Sequence, residues 1–458
     1  MAKFKIIVSD LHLGAGFAHE GNRLEDFDQD EAFAELLAHF IAESERLSRP
    51  MELVFAGDTF EFLQVPALDG REAFEPARQY PATHYEPADE ASSRRKMDLI
   101  IQGHPQFFRT LRELLNSPLC SVCFIKGNHD INLHWGQVKA MVSAALGASR
   151  APGRLTFEER CLSREGIYVE HGNQYLEWLN RWPDFEQPHD PDNPLELYLP
   201  AGSRFVFQFF NHMEHQYFWL DGIKPLTALI WYLFALDYAC ALRAVKTLLR
   251  LVPSLIWGSL PLGLAISESM QAQEQVNQIL DDERRMAVLD TSLKERSTFY
   301  NLIDIAMDLY GIQRSGGPLG RFGVYGHTVL PRGQDEQHAQ RERLEQVAMA
   351  KQIQENARVV VFGHVHEPCA VDLPGGAQYL NSGSWTWSRD MTGSDHLAWL
   401  DLFRNPGRYM NARRLTYVRV DYDDRDVPHA ELRTFELDSA PRPTIWRRFQ
   451  TWVASHEE

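Results

Sequence analysis

Cysteine is scarce in this chain. Five cysteines in 458 residues, an odd number and scattered, give no disulfide framework. Cys120 and Cys123 stand three apart in a strand-like run, so they point to opposite faces and make poor redox partners. This usage fits a reducing compartment. No basic stretch followed by an apolar run and a small-residue cleavage site precedes the first strand-like run, so no secretory signal is expected. Internal repeats and coiled-coil heptads are absent as well. Positive charge is in deficit, with 46 Lys and Arg against 63 Asp and Glu, a formal net charge of −17. That balance repels nucleic acid in bulk, and no strong nucleic-acid signal opposes it. A locally positive, metal-centred cleft could still accept phosphate. With 44% apolar residues and 11 Trp the chain has the makings of a packed globule. Its length exceeds a usual single domain, so a core with an insertion is expected.

Five short blocks carry the chemistry: Asp10-Leu11-His12, Gly57-Asp58, Gly127-Asn128-His129-Asp130, His171-Gly172-Asn173 and Gly363-His364-Val365-His366. Each follows an apolar run, Phe4 to Val8, Leu53 to Ala56, Val122 to Ile125, Ile167 to Val169 and Val359 to Phe362, that reads as a buried strand of an α/β sheet. Loops at the ends of such strands converge on one crevice. Taken singly, Asp10-Leu11-His12 and Gly127-Asn128-His129-Asp130 read as turns, since Asn, Asp and Gly tolerate left-handed backbone, Gly57-Asp58 says little, and Gly363-His364-Val365-His366 sets two imidazoles on one face of an extended segment. Joined in order they assemble carboxylate, imidazole and amide ligands suited to Mn, Fe or Zn, and the lack of Cys among them argues against a structural zinc clip. One Asp can bridge two ions roughly 3.5–4 Å apart, and such a pair can deprotonate a bridging water and clamp a phosphoryl group. His327, in Val324-Tyr325-Gly326-His327-Thr328, also follows an apolar run but lacks a second His, and reads as a site-adjacent or structural loop.

In this order the blocks resemble the signature of the calcineurin-like metallophosphoesterase family: D-x-H, G-D, G-N-H-[DE], H and G-H-x-H. The resemblance covers roughly residues 1–195 and 320–400, and the Asn381-Ser382-Gly383-Ser384 turn is similar too. It implies a four-layer α/β/β/α sandwich. It also implies that Asp10, His12 and His366 hold one divalent ion and Asn128, His171 and His364 a second, with Asp58 bridging. His129 would stabilise the transition state and protonate the leaving oxygen, and Asp130 would help orient the site. The cofactors implied are two divalent metal ions, Mn foremost, Fe or Zn otherwise. The implied reaction is hydrolysis of a phosphate ester or anhydride by a metal-bridging hydroxide. A soluble cyclic-nucleotide phosphodiesterase, a phosphoprotein phosphatase and a non-catalytic scaffold on the same fold are the other readings.

Spacing divides the chain into a first core part over 1–195, a helical insertion over 196–319 and a second core part over 320–458. Residues 64–96 lack periodicity and read as a long excursion above the site, while helical spacing appears near 30–47 and 98–116. Pro183, Pro188, Pro191 and Pro194 mark a linker. Leu397 to Leu400, Tyr417 to Val420 and Arg433 to Glu436 look like antiparallel strands completing a second sheet. Pro225 to Leu242 and Leu251 to Ile266 are apolar but fall short of the roughly 20 residues of a spanning helix, and Asp237, Pro253 and Pro261 interrupt them. Residues 225–266 are open to three readings: a buried helical hairpin or homodimer contact, a lid peripheral to the inner face of a membrane or to an acyl chain, or a transmembrane hairpin. Arg243, Lys246 and Arg250 between the runs suit an interface. A loose similarity to the UDP-2,3-diacylglucosamine pyrophosphohydrolases, which have Arg where this chain has His129, points to a small or lipid-linked phosphodiester or pyrophosphate as substrate. The expected location is cytoplasmic.

Overall fold

The computed structural model describes residues 3–70, 72–176, 178–224, 232–233, 236–251, 299–301, 329–331, 333–391, 393–410 and 414–436. Of the apolar runs, only 232–233, 236–242 and Leu251 fall among these, and His327 lies outside them. The fold is mixed α/β, in two compact units: residues 1–207, 340–387 and 411–458, and residues 208–339 and 388–410.

In the first unit, strands β1 (Phe4–Val8), β2 (Met51–Ala56), β3 (Cys120–Ile125) and β4 (Leu155–Glu158) pair in parallel. Strands β5 (Cys161–Arg164), β6 (Ile167–Glu170), β7 (Val359–Phe362), β8 (Cys369–Leu373) and β9 (Ala377–Asn381) form a second sheet in the order β8-β9-β7-β6-β5, with β6, β7 and β9 parallel. The last two strands, β10 (Thr416–Tyr422) and β11 (Pro428–Thr434), were expected in the second sheet. Instead β10 pairs antiparallel with β1, so both extend the first sheet, in the order β11-β10-β1-β2-β3-β4.

Alternation along the strands divides the apolar residues between two faces. Ile7, Val54, Cys123 and Ile125 from the first sheet cluster with Ile167, Val169, Val359 and Val361 from the second. The opposite face of the first sheet, with Phe4, Ile6, Phe55, Cys120 and Phe124, is covered by helices α1 (Asp30–Leu47), α2 (Glu90–Gly103), α3 (Pro105–Asn116) and α4 (Gly136–Ala145). Cys120 and Cys123 therefore do lie on opposite faces, and all five cysteines are free. Tyr168, Val360 and Phe362 on the outer face of the second sheet meet Leu344 and Ala348 of α6 (Gly333–Gln354).

Two expectations about helices are corrected. The helix read over 98–116 is two helices, because Pro105 removes an amide donor at N1 of α3 and His104 leaves the helical region, with φ −124° and ψ 54°. The first of them reaches back to Glu90, into the segment read as aperiodic, because the Asp89 side chain caps it by accepting a 3.0 Å hydrogen bond from the Ser92 amide.

The second unit contains α5 (Tyr238–Leu251) and α7 (His396–Arg404) and two short strand pairs, Ile223–Lys224 with Arg389–Asp390 and Phe299–Asn301 with Val329–Pro331. Here Leu397 to Leu400, read as a strand, is helical: Asp395 caps α7 through the Ala398 amide at 2.9 Å, and Trp399, Leu400 and Leu402 are buried. Trp399 stacks on Tyr232 with ring centroids 4.4 Å apart. Among the described residues no helix is long and apolar enough to cross a membrane.

Candidate metal centre

The five blocks sit where the parallel strands end. Past the strand ends, the loops after β1 and β2 stay paired: Asp10 N–H donates to Gly57 O at 3.1 Å and His12 N–H to Asp58 O at 3.0 Å. Leu13 then bonds Thr59 O at 3.0 Å. In the second sheet Gly363 N–H donates to His171 O at 3.0 Å. The two sheets meet through the turn at 381–384: Ser384 Oγ donates to Asp10 O at 2.9 Å, and Ser9 Oγ lies 2.6 Å from Ser382 Oγ.

Two groups of donors result. The ligand atoms of Asp10, His12 and His366 lie within 4.8 Å of one another, as do those of Asp58, His171 and His364. His12 Nε2 and His366 Nε2 are 3.2 Å apart, within the span that two metal–nitrogen bonds of about 2.0–2.1 Å can bridge. Asp58 Oδ2 is 3.0 Å from His171 Nε2 and 4.0 Å from His12 Nε2, so it touches one group and faces the other. Asn128 Oδ1 is 3.0 Å from His171 Nε2 and joins the second group. All seven residues expected as ligands therefore come together.

Backbone strain is concentrated here. Asp10, His12, Asp58, His364 and His366 all have φ between 48° and 71°. The left-handed conformation costs a non-glycine residue about 1–2 kcal/mol, and such strain persists where surrounding structure holds it for a function. The neighbouring glycines leave room for these side chains. A Cβ on Gly57 would stand 2.4 Å from His171 Nδ1, and one on Gly127 would stand 2.2 Å from Asp58 Oδ1.

Outer hydrogen bonds set which nitrogen of each ring is free. His171 Nδ1 is 3.0 Å from Ala56 O and His12 Nδ1 2.9 Å from Glu61 Oε2. A carbonyl or carboxylate only accepts, so in the neutral ring the hydrogen sits on Nδ1 and Nε2 offers its lone pair to a cation. Charge follows the same pattern. Burial opposes ionisation of Asp10, but His366 outweighs it and holds the pKa down at about 2. Burial likewise opposes ionisation of Asp58, yet His171 and His129 keep it well below the usual carboxylate range. Burial and the like charge of His171 push His364 down to about 3, leaving it neutral. His171 is itself lifted to about 9 against burial, because it shares a proton with Asp58, and a divalent cation would take that proton's place. Ionised carboxylates, an amide oxygen and imidazole nitrogens aimed at two centres fit two divalent ions of the Mn, Fe or Zn type.

His129 stands beside these groups, its ring edge-on to His12 at 4.7 Å between centroids. Its Nδ1 is bonded to Glu61 Oε2. Asp130 is wholly buried: it accepts from the amides of Gly127 and Thr59, the latter at 2.8 Å, and so ties the β3 loop to the β2 loop. Burial and the charge of Asp58 raise its pKa to about 7. Asp130 thus orients the loops from behind. Glu61 is the residue the sequence reading missed. Its carboxylate joins His12 to His129, and despite burial those two rings hold its pKa at about 2. The available signal was its place three residues after Asp58 in Gly57-Asp58-Thr59-Phe60-Glu61.

No protein-family model and no curated protein matches this chain.

Proposed function

We propose that this chain is a dinuclear-metal phosphoesterase, built on a four-layer α/β/β/α sandwich of the calcineurin-like metallophosphoesterase kind. The three apolar clusters, helices on sheet, sheet on sheet and sheet on helix, support that architecture. The observation that carries the functional reading is Asp58, whose Oδ2 sits between the Asp10–His12–His366 and His171–His364 groups. Asp10, His12 and His366 would hold one ion, Asn128, His171 and His364 the other, and Asp58 both. Two such ions would supply Lewis-acid charge to a phosphoryl group and make a water acidic enough to attack it near neutral pH. The chain's own residues do the rest. Glu61 accepts the Nδ1 hydrogen of His129, which leaves Nε2 to carry a proton for the leaving oxygen. Ala56 O and Glu61 keep His171 and His12 turned toward the ions.

The substrate class we favour is a small or lipid-linked phosphodiester or pyrophosphate, handled in the cytoplasm. The test is a panel of phosphomonoesters, diesters, nucleotides and nucleotide-sugar lipids, given to metal-stripped protein with and without added Mn²⁺. Metal-dependent turnover with close to two ions per chain supports the reading. Full activity in a metal-free preparation overturns it.

A further inference from the structure

Lys96 in α2 is buried to 2% exposure. Lysine is almost never so buried unless paired. Here Lys96 Nζ donates to two backbone carbonyls, Phe62 O at 3.1 Å and Tyr85 O, and among the described residues no carboxylate lies within ion-pair distance. One turn earlier on the same helix face, Ser93 is fully buried and its Oγ accepts from Asn132 Nδ2 at 2.7 Å. The two side chains thus reach different loops. Phe62 belongs to the loop after β2 and follows Glu61; Asn132 belongs to the segment after β3 and follows His129 by three residues. The loops are joined in turn by Phe62 N–H donating to His129 O at 3.1 Å and by the Glu61–His129 side-chain bond. Phe62 is therefore held on both sides, by His129 at its amide and by Lys96 at its carbonyl.

We propose that Lys96, with Ser93, is a positioning residue: the buried polar face of α2 fixes the Glu61–His129 pair in register with the metal ligands. A buried amine, whose charged form burial disfavours, is a costly way to hold two carbonyls, and an apolar side chain would pack there with less penalty. The polar contact makes sense where the peptide it grips must not shift, since misplacing a catalytic group by about 1 Å can cost on the order of 100-fold in rate. This inference rests on the phosphoesterase reading for its consequence in catalysis, but not for the brace itself.

The experiment uses the full chain loaded with Mn²⁺. Lys96→Met should lower kcat toward a diester with a poor leaving group by roughly 10- to 100-fold, leaving KM and metal content nearly unchanged. An activated, low-pKa leaving group should partly escape the loss. In a His129→Asn background the same change should cost nothing more, because the group it positions is gone. Amide hydrogen exchange should quicken in peptides covering 57–63 and 127–132 and stay unchanged in 106–116. Multiplicative losses in the double variant, or unaltered exchange in both loops, overturn the proposal. If wild-type protein turns over no phosphate ester with any metal, the functional reading fails while the exchange measurement still decides the brace. If Lys96→Met does not fold, Ser93→Ala decides: faster exchange in 127–132 supports the brace and unchanged exchange overturns it.

Discussion

Two buried clusters in this protein are made of the same residue types, and they do opposite things with them. At the strand ends, Asp10, Asp58 and four imidazoles aim ligand atoms at common points from strained backbone. Beside α2 and α3, His104 lies between Glu25 and Asp30, with Nε2 3.4 Å from Glu25 and Nδ1 3.3 Å from Asp30. The two carboxylates there bind opposite edges of one ring, so no shared point exists for a cation. Burial works against the charged ring, yet Glu25 and Asp30 hold its pKa up at about 10. Glu25 also takes the amides of Gly14, Gly16 and Phe27, at 3.3 Å for Gly14 and 3.2 Å for Phe27. One cluster has its donors converging on common points; the other already holds a cation of its own, the His104 ring between its two carboxylates. Residue type alone does not distinguish them. Direction does.

The contrast can be broken most severely at Asp58. Asp58→Asn removes the carboxylate facing both groups, and we expect metal content to fall well below two ions per chain, with activity lost by more than about 1,000-fold. Metal analysis and initial rates check this; a variant that keeps both ions and its rate removes the bridge from the argument. Next comes His129→Asn, expected to leave metal content intact while lowering kcat by about 10²–10⁴-fold, least for an activated leaving group. Loss of metal along with activity would make His129 a ligand.

The His104 cluster gives a stability effect instead. His104→Gln leaves the buried Glu25 carboxylate without its cation, beside the partly exposed Asp30, and should cost about 3 kcal/mol in urea unfolding, with metal content unchanged. The pH dependence has a definite sign. The folded pKa of His104 lies above the unfolded value, so its contribution is complete below pH ~6.5 and is lost as pH rises through about 10. The difference in stability between wild type and variant should therefore shrink between pH 7 and pH 10.5. A gap that widens over that range refutes the assignment.

The smallest expected effect is that of Glu61→Gln. The amide can still accept one hydrogen bond from His12 or His129 but loses the charge, so kcat should drop by about tenfold and metal affinity by about 10–100-fold. Equal activity across pH 6–9 for variant and wild type would show that Glu61 does not act through His129.

The candidate ligands were legible because each stands within a few residues of the end of an apolar strand, with a glycine directly before Asp58, Asn128 and His364. Short-range sterics force that order, since the backbone must turn sharply at Gly57 and leave room for a neighbour's side chain at Gly127. Glu61 escaped because its place three residues after Asp58 is a weak local mark, and its importance comes from two rings 49 and 68 residues away. The Leu397–Leu400 segment was misread because apolar residues alone do not choose between strand and helix, whereas the Asp395 cap on the Ala398 amide does. His104 and Lys96 carried no motif at all.

The sequence by itself determined which side chains have the donor chemistry for a divalent cation, that five apolar runs form strands just before them, and a net charge of −17. Those are properties of residue type and of contacts a few residues long. Only the tertiary structure decided that β10 and β11 close the first sheet and not the second, because an alternating strand reads the same in either until it pairs with β1. It also decided which Asp and His converge as candidate ligands and which become a buried ion cluster. Both kinds satisfy the same local rules. They differ in what the rest of the chain places within hydrogen-bonding distance of each oxygen and nitrogen, a distinction set by pairings across tens to hundreds of residues.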